Sequence, residues 1–485
     1  MQLRMRKEDW LFLLLCLGLG ILAEEAFLWS QLGISHFIFI AAFYSLFFWR
    51  FRGFPFRNQR LGWLVLGAIW ILSASYFLYD IDVFYALNLL AIPALVVFHI
   101  SLITGPKQAD WAKPAFLIHI IKRMFDSIAY NLGFTRLLAR MAQRRTKGKN
   151  TAVATKVLIG IGISIPVLFV VLNLLISADS QFERIITTVP DWFSFDGEIL
   201  FRIIAILIFT FSFFGFMQVH LKKRAEIKTI LISNHTWGFD PVIILTVLLL
   251  LDAVYMLFVG VQFTYFFSGT LGEGYTYAEY ARRGFFELVF VSLINLTATV
   301  TFLSFLKKRE GGLWKAIQLG LSVLVLSSGV ILASAFMRMM MYEEAYGFTI
   351  LRVLVHSFMV FLLIIFAYTL LKVWLNRLSL IHFYFIAALV YYTVLNVIGI
   401  DRIVADRNLE RYEQTGRIDV AYLGYMSDTG LLTLIDLYKI HPNVPGLKEE
   451  LRNHFAEAET REEHWQAYNL TRERAREKLM ELDLK

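Results

Sequence analysis

A single cysteine, Cys16, stands in 485 residues, so no disulfide framework and no thiolate metal site can be drawn. Charge is scarce as well: Asp, Glu, Lys and Arg make up 18% of the chain, against roughly 25% in an ordinary soluble domain. Soluble-enzyme signatures are missing. There is no glycine-rich phosphate loop ending in Lys-Ser/Thr, no HExxH, no GxSxG and no CxxC. The GTLGEGYT stretch is glycine-rich but follows no strand, which disfavours an ATPase. The sequence points to no cofactor and no metal.

What is present in excess is apolar. Hydrophobic residues make up 58% of the chain and aromatic ones 16%. A helix crossing the hydrocarbon core needs about 20 predominantly apolar residues. Eleven windows of that kind can be placed, at 10–30, 32–49, 61–79, 81–104, 152–176, 199–220, 241–267, 285–306, 314–337, 349–372 and 379–399. The third and fourth are joined only by the Asp80 to Asp82 corner and should form a tight hairpin. Met1–Lys7 is basic, but no Ala-x-Ala-like site follows, so the first window reads as a retained span. The expected fold is all-α, a polytopic transmembrane bundle of about eleven spans with a small C-terminal α-helical domain. Residues 1–104 would carry four spans, 105–150 a cytoplasmic basic segment, 151–400 seven spans and 401–485 an extracytoplasmic tail.

The net charge of +8 does not call for nucleic acid. From Asp401 onward 13 Lys and Arg face 17 Asp and Glu, which leaves +12 on the apolar region. Alternate loops divide that excess unequally, 28 Lys and Arg against 6. Cytoplasmic loops carry the excess. The expected topology therefore has the N-terminus inside and, after an odd number of spans, the tail outside.

Between Trp111 and Lys149, Leu117, Ile120, Ile121, Met124, Phe125 and Ile128 recur at helical spacing after Pro114, with Lys122, Arg123 and Asp126 facing elsewhere. Arg136, Arg140, Arg144 and Arg145 follow. Such a helix should anchor on the inner surface against anionic lipids. The tail should break at Gly416, at Ser427 as an N-cap, and at the HPNVPG turn. A protein partner for residues 401–485 is a natural expectation.

Ionisable groups inside apolar windows are costly and usually face inward. Asp252 lies mid-window, as a proton or cation site or as a group locking two helices. His356 lies one to two turns inside its window, four residues after Arg352, where partnership with an acid is more common than proton relay. Three polar clusters share the expected outer face: Glu279, Arg282, Arg283 and Glu287; Glu343, Glu344 and Arg352; Asp401, Arg402 and Asn408. They form a polar crown that either seats the tail or receives a ligand. Arg283 and Glu287 should pair with a group from the Tyr342 to Arg352 segment.

These clusters also carry a resemblance. FVGVQFTYFFSG at 258–269, TYAEYARRGFFEL at 276–288, YEEAYGFTILR at 342–352, ADRNLERYEQTGRIDVAYL at 405–423 and WQAYNLTRERA at 465–475 are similar to segments of a bacterial membrane-protein family, domain of unknown function 4173, to which family 4153 is related. The similarity runs from Asp240 into the tail. It implies a cytoplasmic-membrane protein and brings no activity. Three functions compete on the residues: an envelope sensor or scaffold first, a small-molecule or ion transporter using Asp252 second, and a transferase on a lipid-linked substrate third. The last would use Glu343 and Glu344 as acid and base, yet adjacent helical residues point about 100° apart.

Overall fold

The computed structural model describes residues 5–105, 110–145, 171, 175, 197–222, 240–268, 285–305, 311–375, 377–461 and 464–483. Among them there are sixteen α-helices and no strand. These are α1 (Lys7–Leu28), α2 (Ile34–Arg50), α3 (Gln59–Leu78), α4 (Asp82–Thr104), α5 (Pro114–Arg145), α6 (Gly197–Lys222), α7 (Pro241–Ser268), α8 (Phe285–Phe305), α9 (Gly312–Tyr346), α10 (Ile350–Trp374) and α11 (Leu380–Leu395). The tail adds α12 (Ile400–Thr415), α13 (Val420–Met426), α14 (Asp428–Ile440), α15 (Leu447–Thr460) and α16 (Leu470–Met480).

Ten of the eleven apolar windows coincide with helices; the window at 152–176 lies outside the described residues. Among the described residues eight helices are long and apolar enough to cross a membrane, or nine if α11 and α12, bent by 57°, count as one span. The chain is therefore a multi-pass membrane protein. At 17 residues α2 falls short of that length: at 1.5 Å per residue it covers about 25 Å, less than the hydrocarbon thickness. The opposite departure occurs in α9, which runs on past the expected window to Tyr346 because no breaker intervenes before Gly347. Its 35 residues span about 52 Å, so it outreaches a bilayer core.

The chain divides into two compact units, Met1–Phe77 with Leu89–Lys228 and Glu463–Asn469, and Leu78–Asn88 with Thr229–Glu462 and Leu470–Lys485. In the first, α1 runs against α6 at very short range: a Cβ on Gly20 would lie 2.4 Å from Thr210 Oγ1 and 2.8 Å from the Ile206 carbonyl. Small residues permit such backbone approach between apolar helices. Polar clamps close both ends of α1. At its start the buried Asp9 carboxylate accepts from Arg50, from Lys222 Nζ at 2.8 Å and from Gln218 Nε2 at 3.1 Å. At its end Arg202 donates to Glu24 and Glu25, both at 2.8 Å, and Gln466 Nε2 donates to Glu25 at 2.6 Å.

In this unit α5 lies along α6 with an unusual division of faces. His119, Arg123, Ser127, Tyr130 and Phe134 are buried, with Arg123 donating to the Val219 carbonyl at 3.1 Å and Asn131 to the Phe211 carbonyl at 2.8 Å. Leu117, Ile121, Met124, Phe125 and Ile128 are exposed. The polar face turns into the protein and the apolar stripe turns out.

The second unit is built round α9, flanked by α7, α8 and α10. Polar groups along α9 are matched across these helices: Asn295 donates to Ser328 at 2.9 Å, Ser334 to Gln262 at 2.9 Å and Gln318 to the Val373 carbonyl at 2.8 Å. The tail helices close a separate core around Val404, Leu434, Ile435, Leu447 and Leu451, into which Ile81 and Phe84 of the α3–α4 corner insert. Its stops are those the sequence marks. Gly416 caps α12 in the left-handed region at φ 67°, and Ser427 accepts from the Gly430 amide as N-cap of α14.

Candidate functional site

The α9–α10 corner and the start of the tail form one polar junction. Gly347 takes φ 85°, a conformation side chains rarely adopt, and a Cβ there would also meet Asn408 Oδ1 at 3.1 Å. The corner therefore demands glycine twice over. Asn408 on α12 reads its main chain: Nδ2 donates to the Phe348 carbonyl at 2.9 Å and Oδ1 accepts from the Phe348 amide at 3.2 Å. Arg411, one turn on, donates to the Ala345 carbonyl at 3.1 Å. Tyr422 Oη accepts from the Ile350 amide at 2.8 Å, satisfying a donor in the first turn of α10.

The other crown residues separate into inward and outward groups. Glu343 is buried, with Oε2 2.9 Å from His356 Nδ1, while the second ring nitrogen of His356 faces the Phe336 carbonyl at 3.3 Å. Glu344 is exposed, so the two adjacent carboxyls diverge. Arg352 donates to the Gly347 carbonyl and lies 4.4 Å over the Tyr342 ring. Asp401 is buried at the start of α12, accepting from the Arg402 amide at 2.9 Å and from Ser427 Oγ at 3.2 Å, whereas the Arg402 side chain is exposed. Glu287 is exposed on α8; Glu279, Arg282 and Arg283 lie outside the described residues. The expected pairing of Arg283 with the corner thus falls outside as well, and at the corner Glu343 and Arg352 already have the partners just named.

Beside this junction an open cleft of about 660 Å³ runs between Ala345 and Tyr346, the Arg417–Ala421 connection and the start of α15. Arg411, Arg417, Asp419, Glu449 and Glu450 line it. Both signs of charge face one concavity, an arrangement suited to a polar or charged ligand or to a peptide segment.

Asp252 sits apart, buried on α7, with Oδ1 lacking a hydrogen-bond partner among the described residues. Across from it Gly320 of α9 leaves room, since a Cβ there would touch Asp252 Oδ2 at 3.4 Å. Neither this cleft nor the smaller cavity among α2, α3 and α4 is lined by Asp252.

Sequence reasoning missed a further cluster. Arg472 on α16 donates to Asp80 at 2.9 Å and to Asp428 at 3.3 Å, so one guanidinium serves two carboxyls. Burial, together with the adjacent Asp80, pushes the Asp428 carboxyl up to about 7, against the pull of Arg472 and Arg461. Asp80 was visible as a helix-joining corner, but nothing in the pattern ties it to a residue 392 positions later.

A family model described as domain of unknown function (DUF4153) matches residues 66–437. The match begins well before Asp240, so it takes in apolar helices of the first half that carry little residue-specific signal, and it ends before Arg472 and the WQAYNLTRERA segment. No curated protein and no solved structure gives a significant match. Asp252, the α9–α10 corner, Asp401, Asn408 and Asp428 all fall within the matched stretch, which covers more than half of the chain, and the protein belongs to the DUF4153 family.

Proposed function

We propose that the protein is a membrane-embedded sensor or scaffold whose tail and α9–α10 corner recognise a partner at one membrane face. One observation carries this reading: the mixed-charge cleft opens beside a corner clamped by Asn408, Arg411 and Tyr422, so occupancy can bear directly on the end of α9. The recognition face is the extracytoplasmic one. The division of loop charge supports that orientation. The alternation of loop charge behind that orientation counts all eleven apolar windows of the sequence as crossings, that of α2 included. At the inner face α5 would lie in the interface with its apolar stripe among acyl chains and its exposed Lys122 near anionic headgroups.

A second reading, transport, rests on Asp252, whose Oδ1 lacks a partner among the described residues. The divergence of Glu343 and Glu344 leaves the transferase reading without a convergent acid–base pair there. Charge reversals in the cleft, Arg417→Glu and Glu449→Lys, decide between the first two. In the native host, each should reproduce the phenotype of a strain lacking the protein at unchanged membrane abundance, and Asp252→Asn should not. The opposite pattern, silent cleft variants with a null Asp252→Asn, would establish transport instead.

A further inference from the structure

Among α2, α3 and α4 of the first unit lies a small cavity of about 120 Å³. Phe48 and Phe56 form its walls, with ring centroids 5.9 Å apart at 80°. His99 forms its floor. This imidazole is 2% exposed, its Nδ1 lies 3.0 Å from Tyr44 Oη, and its Nε2 has no partner among the described residues. Gly62 keeps the space before that nitrogen open, since a Cβ there would come within 2.7 Å of Ile103 Cγ2 and 3.8 Å of His99 Nε2. Trp63 stands at the mouth, 68% exposed on a membrane-spanning helix.

Size, shape and polarity together narrow the occupant. An enclosed apolar cavity of about 150 Å³ admits benzene, so about 120 Å³ open at the surface takes in at most one six-membered ring, with its substituents outside. Phe48 and Phe56 meet edge to face, and this aromatic lining favours a ring guest through edge and offset contacts. No charged side chain lines the cavity, so an ionic guest has no counter-charge there. One hydrogen-bonding nitrogen remains to be satisfied. Tyr44 and His99 share a single proton between them, so Nε2 donates when Tyr44 donates to Nδ1 and accepts when Nδ1 donates to Tyr44. A carbonyl satisfies the first state and a hydroxyl the second. We propose that this cavity binds the ring of a lipid-phase quinone or quinol, entering past Trp63, with one ring oxygen hydrogen-bonded to His99 Nε2.

The full chain in lipid nanodiscs, titrated with a short-tailed benzoquinone, gives the test. Wild-type protein should bind saturably. His99→Leu should weaken binding about tenfold, the scale of one lost hydrogen bond to a buried group. Trp63→Ala, at an exposed position, should weaken it at an unchanged melting temperature, which covers the case of a His99 variant that does not fold. Absence of saturable binding overturns the proposal, as does unchanged affinity in folded His99→Leu and Trp63→Ala. A linear alkyl alcohol that competes as well as the quinone also overturns it, by marking an acyl-chain slot.

Discussion

Asn408 grips Phe348 by both main-chain groups, donating to its carbonyl and accepting from its amide, and with the same Nδ2 it also donates to the Val404 carbonyl at 2.9 Å. A buried amide so fully used has no close substitute. In Asn408→Asp a carboxylate oxygen would replace the donor and face two carbonyls, and Asn408→Ala would leave a buried amide and carbonyl unmet. Each should cost about 1 to 3 kcal/mol. Gly347→Ala should act on the same joint, through both its φ and its 3.1 Å approach to Asn408. Thermal unfolding of the detergent-purified chain, with limited proteolysis at the corner, reads the effect. Wild-type melting and cleavage in Asn408→Asp would show that the clamp contributes nothing.

The apolar stripe of α5 yields a labelling pattern. Cys16, the sole cysteine, is buried, so single cysteines introduced into a Cys16→Ser background report cleanly. Spin labels at Leu117, Phe125 and Ile128 should collide with lipid-dissolved oxygen, and a label at Lys122 with a water-soluble nickel chelate. Phe125 is 67% exposed, so its label leaves the bundle intact. Uniform access of the nickel chelate to all four positions would place α5 in water.

Much of this fold is legible in the sequence because bilayer thickness and turn chemistry leave local marks. Apolar windows locate ten helices, and Gly416, Ser427 and the HPNVPG turn locate the breaks in the tail. The α5 periodicity is equally plain, but periodicity alone does not say which face turns inward. In water an apolar stripe seeks the core; against lipid it can remain outside, and here His119, Arg123 and Tyr130 take the inner side. Glu343, Asp401 and Asn408 stand out as polar residues beside apolar runs. Their partners do not: the Phe348 corner, Ser427 and the Asp80–Arg472 contact are set by tertiary packing across long stretches of chain.

The Asp80–Asp428–Arg472 cluster makes stability depend on pH with a definite sign. Asp428 titrates near 7 when folded, against about 3.9 for an unperturbed aspartate. Between those values the folded chain holds more protons than the unfolded one, so the contribution is full at low pH and is lost as pH rises through about 7. The readout is a comparison with a variant that lacks the Asp428 carboxyl. The melting temperature of wild-type protein should drop more between pH 5 and pH 8 than that of Asp428→Asn. Equal drops would remove Asp428 from the account.

Asp252 offers the sharpest separation between scaffold and transport. A carboxyl within a span must be neutral or paired, because a bare charge in hydrocarbon is the most costly state. Among the described residues no partner meets Oδ1. Asn keeps the shape and a hydrogen-bonding end but removes the titrating proton. If the group only packs against Gly320, Asp252→Asn should be indistinguishable from wild type in abundance and phenotype. Gly320→Leu should then destabilise the α7–α9 contact, because even a Cβ there lies 3.4 Å from Asp252 Oδ2 and 3.5 Å from Leu248. If the group carries a proton or cation, Asp252→Asn would remain folded and abundant yet match a strain lacking the protein. The scaffold reading commits to the first outcome. A well-folded Asp252→Asn variant with a null phenotype would end it without the substrate having to be known.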